Sequence, residues 1–418
     1  MSRSLGRFVA LPVSQGDAFF LKSPDGSVLV DGGRSVEGFP ELFVRITGQS
    51  EVDVVICTHN DADHANGVLG FLRGGLGCRE VWLPGRWLAA LPHALRPSER
   101  LVLSLWEQAG EAAHNPGLLE RTEAFRESRP RPPILEIYGD HLAESPNWRS
   151  TPSEPSSSPG GISETSENQW PRELIDDLGQ SAEASDSISS YGDGFMGPDR
   201  WRFWRWYLRS PIRDPEDWHA ALFAGALAAA ERIRSIAVAA YHNGTGVRWF
   251  EHDPSSASGG NSWLRSLNAK QISSVPLCPD RAWLAYLALS TTNLESLVFW
   301  APSNKRTGVL FTADSDLTDI TLPNLEGAVV TAPHHGSDAN GAAYQAIVRR
   351  ISAHPVNWVR SDGRFFRSRP GSAYLNATGR RFCTLCRSPQ PVPKQVVDFF
   401  ARSGTWVRHR KTRPCACQ

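Results

Sequence analysis

Lysine is almost missing from this chain of 418 residues, occurring only as Lys22, Lys270, Lys305, Lys394 and Lys411 beside abundant arginine. That bias reads as the mark of a GC-rich genome and carries no functional weight. Long apolar runs are missing too. The most apolar helical stretch, 220–230, falls well short of the roughly 20 residues that a bilayer span needs, and it runs straight into Glu231, Arg232 and Arg234. No apolar segment follows the basic start, which argues against a secretory leader and makes a cytoplasmic protein with no membrane partner the expectation. Net charge is absent as well, with 44 Lys+Arg against 44 Asp+Glu, although the charges are unevenly placed. Beyond residue 340 the only acids are Asp362 and Asp398, facing a series of cations from Arg349 to Arg413. Such asymmetry favours a polyanionic partner, phosphate first. The alternative is that this basic end pairs with the acidic remainder of the protein.

What the chain does have is a dense run of metal-binding side chains. In Thr58-His59-Asn60-Asp61-Ala62-Asp63-His64, two histidines and two aspartates follow directly on the apolar run 52–57, which reads as a buried strand. A loop at a strand end can point imidazoles and carboxylates at one small volume, as one or two divalent cations require. Solvated turn residues would be the plainer reading, but a turn needs fewer of them. Two further apolar runs end the same way: 308–311 runs into Asp314, and 329–332 runs through Pro333 into His334, His335, Gly336 and Ser337. Three strand ends with ligand chemistry imply one convergent site.

These motifs resemble the metallo-β-lactamase superfamily of binuclear metallohydrolases, and within it most resemble the soluble hydrolase domain of ComEC-type competence proteins. The resemblance rests on 13–18, on Leu29-Val30-Asp31-Gly32-Gly33, on the first metal loop, on Asn293 with 296–298, on Asp314 and on His334-His335-Gly336-Ser337. It implies an α/β fold of the αββα type, two sheets face to face with helices outside. It also implies two divalent ions, zinc or manganese, with His59 and Asp61 on one, Asp63 and His64 on the other, Asp314 between them, and His334 or His335 completing the set. Asp63 and Asp314 are the candidate catalytic residues. Asp31 would brace the metal loop, and Ser337 would orient substrate or shape its loop. Many members carry His where Asp61 stands, so harder ions such as manganese compete better here. Members often draw a further His from the middle of the chain, for which His242 and His252 are the first choices. Where the resembled competence proteins are membrane-embedded, this chain is expected to be a free-standing hydrolase.

The expected organisation places the N-terminal half of the fold at 1–84, an insertion at 85–290 that is disordered over 145–198, the C-terminal half at 291–345, and a basic region at 346–418. Within the insertion, arginines and aromatics interleave over 200–209, as a nucleic-acid-binding segment would, the alternative being an amphipathic segment that buries Trp201, Trp204 and Leu208 or a partner-docking surface. Asp214 and Pro215 open a helix expected to run to Tyr241 or His242. In the basic region Cys383, Cys386, Cys415 and Cys417 are spaced for a structural zinc ion, whereas Cys57, Cys78 and Cys278 read as small buried hydrophobes.

Metal-dependent hydrolysis of phosphodiester bonds in DNA or RNA, with a metal-bound hydroxide as nucleophile, is the leading functional expectation. Arg364, Arg367 and Arg369 would grip the phosphates. The alternatives are hydrolysis of a small-molecule ester, thioester, amide or phosphoester, and membership of a multi-protein defence or DNA-processing assembly docked through the Trp/Arg-rich insertion.

Overall fold

The structure, a computed structural model, describes residues 6–114, 170–181, 215–273, 294–303, 307–351, 353–361, 369–387 and 392–417. The Trp/Arg-rich stretch 200–209, Asn293, Cys278, Arg364 and Arg367 lie outside them. The first strands form an antiparallel meander, β1 (Arg7–Ala10), β2 (Phe19–Lys22) and β3 (Ser27–Val30), to which β4 (Glu51–Ile56), β5 (Gly77–Pro84) and β6 (Gly246–His252) add in parallel. The second sheet is built from β7 (Gly260–Asn261), β8 (Leu264–Ser266), β10 (Phe299–Pro302), β11 (Gly308–Phe311), β12 (Val329–Thr331), β13 (Asn357–Arg360) and β14 (Arg380–Cys383). Strand β9 (Ala269–Ile272) closes one edge of the first sheet against β6, and the hairpin β15 (Val397–Arg402) and β16 (Thr405–Arg408) forms its other edge.

The period-two alternation of side chains sorts each strand between two cores. In the first sheet Phe8, Ala10, Phe19, Leu21, Val54 and Ile56 point inward to meet Phe299, Phe311, Val329 and Phe382 of the second. The alternate residues Val9, Phe20, Leu29 and Val55 point outward beneath a helical layer. That layer consists of α1 (Phe39–Thr47), α2 (Ala62–Arg73), α3 (Gly85–Leu95), α4 (Glu99–Ala113), α5 (Arg172–Gln180) and α6 (Pro215–His242). On the far side, α7 (Gly341–Val348) and α8 (Ser372–Leu375) cover Val298, Leu310, Val330 and Trp358 of the second sheet. The result is the expected αββα sandwich.

Helix α6 begins at Pro215 and ends at His242, as its capping signals predict. Gly244, at φ +66, turns the chain out of it, with its N–H donating to the carbonyl of Tyr241 at 2.9 Å. Its alanine-rich interior lets it lie close against α2, α3, α4 and α5.

The described parts of 85–290 pack into the fold: α3, α4 and α6 share a core with α2, and β6 is hydrogen-bonded beside β5. Within the stretch expected to be disordered, α5 is ordered by burying Leu174 and Leu178, with Trp170 just ahead of it donating from its indole to the carbonyl of Thr245 at 3.1 Å. The described parts of the basic region join both sheets: β13 and β14 extend the second sheet in parallel from β12, and β15 pairs antiparallel with β1. Among the described residues no helix is long and apolar enough to cross a membrane.

Candidate metal centre

Three strand ends deliver the candidate ligands to one buried volume. His59 lies just past β4, Asp314 just past β11, and His334 and His335 just past β12. Asp63 and His64 do not lie in a loop as the spacing suggested; they occupy the first turn of α2. Asp61 stands at the N-cap of that helix, where an aspartate side chain ordinarily accepts a backbone hydrogen bond. Here it makes no such cap and instead approaches His59, with 3.9 Å between Oδ2 and Nε2.

The seven residues fall into two sets around Asp314, which is fully buried. Its Oδ1 lies 3.3 Å from Nε2 of His64 and 3.3 Å from Nε2 of His335. Its Oδ2 lies 3.4 Å from Nε2 of His334 and 3.8 Å from Nε2 of His59. Asp61 joins the second set through His59, and Asp63 joins the first, its Oδ2 being 3.6 Å from Nε2 of His335. The sequence left open whether His334 or His335 belongs; the structure brings in both, one on each side of Asp314. His334, on the His59 side of Asp314, stands where the further histidine sought in the middle of the chain was expected to contribute. Among the described residues, His242 ends α6 at an exposed position, and His252 lines a small cleft next to His59 without joining the imidazole cluster.

Each imidazole is held from behind by its Nδ1, which leaves Nε2 facing the centre. His64 Nδ1 contacts Asp31 Oδ2 at 2.8 Å, and His335 Nδ1 contacts Asp17 Oδ1 at 3.0 Å. His334 Nδ1 meets Asn340 Oδ1 at 2.9 Å, and His59 Nδ1 meets the hydroxyl of Thr58 at 3.0 Å. Partners of this kind fix tautomer and ring orientation in metal sites. Asp31 also accepts from the backbone N–H and the hydroxyl of Thr58, at 2.9 and 2.8 Å, so it braces both His64 and the approach to His59. Asp17 sits behind the His335 ring in the same way. Asn340 was not singled out by the sequence. It extends the brace, donating from Nδ2 to the carbonyl of Asp314 at 2.8 Å.

Backbone conformation bears on the site as well. His334 and His335 both adopt left-handed φ, at 48° and 54°, and Asp31 does so at 56°. Non-glycine residues seldom hold such angles, and where they persist the surroundings over-determine them. Ser337, fully buried, shapes this turn: its hydroxyl accepts from the N–H of Ala339 at 3.3 Å. Gly16 brings its loop against the start of α2, where an added Cβ would fall 1.6 Å from the carbonyl oxygen of Asp63.

Electrostatics at the centre oppose one another. Burial works against a charge on His64, but the carboxylates of Asp314 and Asp31 outweigh it and hold its pKa well up. Burial and the neighbouring His64 push His59 down. Burial also pushes His335 well down, with Arg369 and His64 adding to the effect against Asp314. Burial would raise Asp314, yet His334, His335 and His64 hold it well below the ordinary carboxylate range. Arg232 of α6 is buried beside Asp61, and burial lowers its pKa to about 10.

These residues fit a divalent metal centre. Four imidazole Nε2 atoms and three carboxylates converge, and the fully buried Nε2 of His59 has no hydrogen-bond partner among the described residues. A buried lone pair left that way is costly unless a cation takes it.

Arg369 corrects a different expectation. It is fully buried and acts electrostatically on His335, so it offers no exposed grip for phosphate.

Residues 11–145 match the metallo-beta-lactamase superfamily, a range that takes in β2 to β5 and the first metal loop and supports a metal-dependent hydrolase. No curated protein matches the chain.

Proposed function

We propose that this protein hydrolyses phosphodiester bonds, with nucleic acid as the substrate class. The observation that carries the reading is the placement of Asp314, whose two oxygens face two separate donor sets: Asp63, His64 and His335 on one side, His59, Asp61 and His334 on the other. Zinc or manganese ions bound there would bring the pKa of water toward neutrality and neutralise charge on both the attacking and the leaving oxygens of an in-line displacement. Asp63, beside His335, would take up the proton that the attacking water loses. Asp17, Asp31, Asn340 and Thr58 keep the four rings in one orientation through turnover. The exposed cations Arg402, Arg408, Arg410 and Lys411, on the β15–β16 hairpin and the tail beyond it, provide the phosphate-binding surface that the buried Arg369 cannot.

A specific observation favours a second reading, hydrolysis of a small-molecule ester or thioester. The cleft beside His59 is lined by Trp87, Phe250 and Leu297 together with Glu251 and Glu295, the latter ion-paired to Arg86. As it stands the cleft has room for about one water molecule (about 10 Å³) and would have to widen for any substrate, but its apolar wall with two carboxylates favours an uncharged group over a polyanion.

The two readings separate in one assay. The full chain, loaded with Zn²⁺ or Mn²⁺, is offered bis-p-nitrophenyl phosphate, single- and double-stranded DNA and RNA, and a set of aryl esters and thioesters. Cleavage of the phosphodiesters, lost in Asp314→Ala, is expected. Turnover confined to the esters would replace the nuclease reading with the second.

A further inference from the structure

Outside the metal centre, a second group of ligand atoms gathers where the chain's end meets the second sheet. Cys383 ends β14, Cys386 follows it, and Cys415 and Cys417 arrive from the tail. Their four sulfurs lie within 4.8 Å of one another, with Cys383 Sγ 3.3 Å from that of Cys415 and 3.9 Å from that of Cys417. All four are free thiols. A disulfide would bring two sulfurs to about 2.05 Å and would leave no reason for the other two to close in.

Main-chain groups are arranged around the sulfurs. The N–H of Ala416 points to Cys386 Sγ at 3.3 Å, that of Cys417 to Cys415 Sγ at 3.3 Å, and that of Arg387 to Cys417 Sγ at 3.1 Å. The hydroxyl of Tyr374 lies 3.2 Å from Cys383 Sγ. Donors aimed at sulfur stabilise thiolates, and four thiolates in a compact apolar setting suit tetrahedral zinc with no open position. Cys383 and Cys386 belong to the core under α7 and α8, and Cys415 and Cys417 pack against it.

We propose that Cys383, Cys386, Cys415 and Cys417 hold one structural zinc ion that staples the two sheets together and steadies His335. The stapling follows from topology. Residues 387–414, between the two cysteine pairs, include β15 and β16 of the first sheet, while β14 belongs to the second. The link to His335 runs through Arg360, which is fully buried. Its NH1 donates to the carbonyl of Leu385, inside the Cys383–Cys386 turn, at 3.0 Å, and its Nε donates to the carbonyl of His335 at 2.8 Å. Thr384 returns a backbone bond to the carbonyl of Arg360 at 2.9 Å. The staple stands independently of the proposed activity; only the link to His335 rests on the metal-centre reading.

The test uses the full chain prepared under reducing conditions and titrated with Co²⁺ as the probe. Bound cobalt should give intense thiolate-to-metal charge-transfer absorption with tetrahedral d–d bands, a signature that an all-His/Asp centre does not produce. His59→Ala with Asp61→Ala should retain the thiolate band, and Cys383→Ser with Cys386→Ser should abolish it. Because that pair is buried and its variant can unfold, Cys415→Ser with Cys417→Ser on the tail serves as the second variant. It should lose the band and about one equivalent of zinc by elemental analysis while circular dichroism stays native. A wild-type chain with no thiolate band, or a band that survives either cysteine pair's removal, overturns the staple. Arg360→Met should keep the band and weaken metal binding at the His/Asp centre by about tenfold or more. Unchanged affinity there overturns the link to His335.

Discussion

Arg232, buried on α6, donates from Nε to the backbone carbonyl of Asn60 at 2.9 Å, while Asn60 donates from its side chain to the carbonyl of Ala229 at 3.2 Å. The long helix thus grips the middle of the metal loop by its backbone, between His59 and Asp61. Hydrogen bonds from a charged donor are worth about 1.5–3 kcal/mol, and more is lost when the acceptor stays buried. Arg232→Met should therefore lower unfolding free energy by about 2–3 kcal/mol in a urea titration and weaken metal binding at the loop. Arg232→Lys should not restore the affinity, because an ammonium cannot reproduce the Nε geometry.

Asp31 and Asp17 make separable predictions. Asp31 accepts from Thr58 twice and contacts His64, whereas Asp17 holds the neighbouring His335. Either residue changed to Asn should cost about 10–100-fold in metal affinity, measured by chelator competition, with the fold intact by circular dichroism. Asp31→Asn should have the larger effect, since one residue there supports both His64 and the strand end that carries His59. Equal and negligible losses would show that neither carboxylate orients a ligand.

Gly67 offers a test of the scaffold. It lies in α2, where alanine is normally better by about 0.8–1.0 kcal/mol, yet a Cβ there would fall 1.9 Å from the carbonyl oxygen of Gly32. Close approach of this helix to the turn after β3 lets Asp31 reach His64. Gly67→Ala should accordingly destabilise by about 1–3 kcal/mol or more, against its helix propensity. A chemical-denaturation midpoint that rises would contradict the packing argument.

Much of this was legible in the sequence because ligand chemistry sat at the ends of apolar runs. The metal loop, Asp314 and the two histidines could each be read as strand-end residues, and the limits of α6 followed from Pro215 and from Asn243-Gly244. The pairing of His334 and His335 across Asp314 could not be read, because it depends on two successive left-handed residues that no propensity favours. Arg232 and Asn340 were hidden for a different reason: each acts through a backbone carbonyl or another ligand's Nδ1, a relationship fixed only by packing. The C-terminal hairpin was missed because β15 pairs with a strand from the opposite end of the chain and carries β16 with it. The arginine density that suggested a phosphate-binding surface also concealed that Arg360 and Arg369 are internal. Basic composition by itself does not distinguish an exposed cation from a buried one.

Asp61 carries a prediction about metal choice. With three carboxylates at the centre, the donor set suits oxygen-preferring ions more than an imidazole-richer set would. Asp61→His should therefore shift the ratio of zinc to manganese affinity toward zinc by about tenfold, roughly 1.4 kcal/mol. Competitive loading from equal Zn²⁺ and Mn²⁺, read by elemental analysis, checks it. Subtracting the contribution of the cysteine site with the Cys415→Ser, Cys417→Ser variant keeps the two zinc populations apart. An unchanged ratio would mean that ligand type at this position does not set selectivity.

The nucleic-acid reading makes its sharpest prediction at the β15–β16 edge. Arg402 and Arg408 are exposed on this hairpin, and Arg410 and Lys411 continue it into the tail. If they contact phosphates, each contact releases condensed counterion, so the slope of log affinity against log salt scales at about 0.9 per phosphate on duplex DNA. Replacing Arg402, Arg408 and Arg410 together by Ala should flatten that slope by about 2–3 and weaken binding at low salt. Hydrolysis of bis-p-nitrophenyl phosphate should stay near wild type, because these residues lie on the outer edge of the first sheet and contribute binding rather than chemistry. Asp314→Ala should do the reverse, retaining binding while losing turnover. A slope that does not move when the three arginines are removed would place the phosphate contacts elsewhere, and wild-type protein that binds no nucleic acid at low salt would favour the small-molecule ester as substrate.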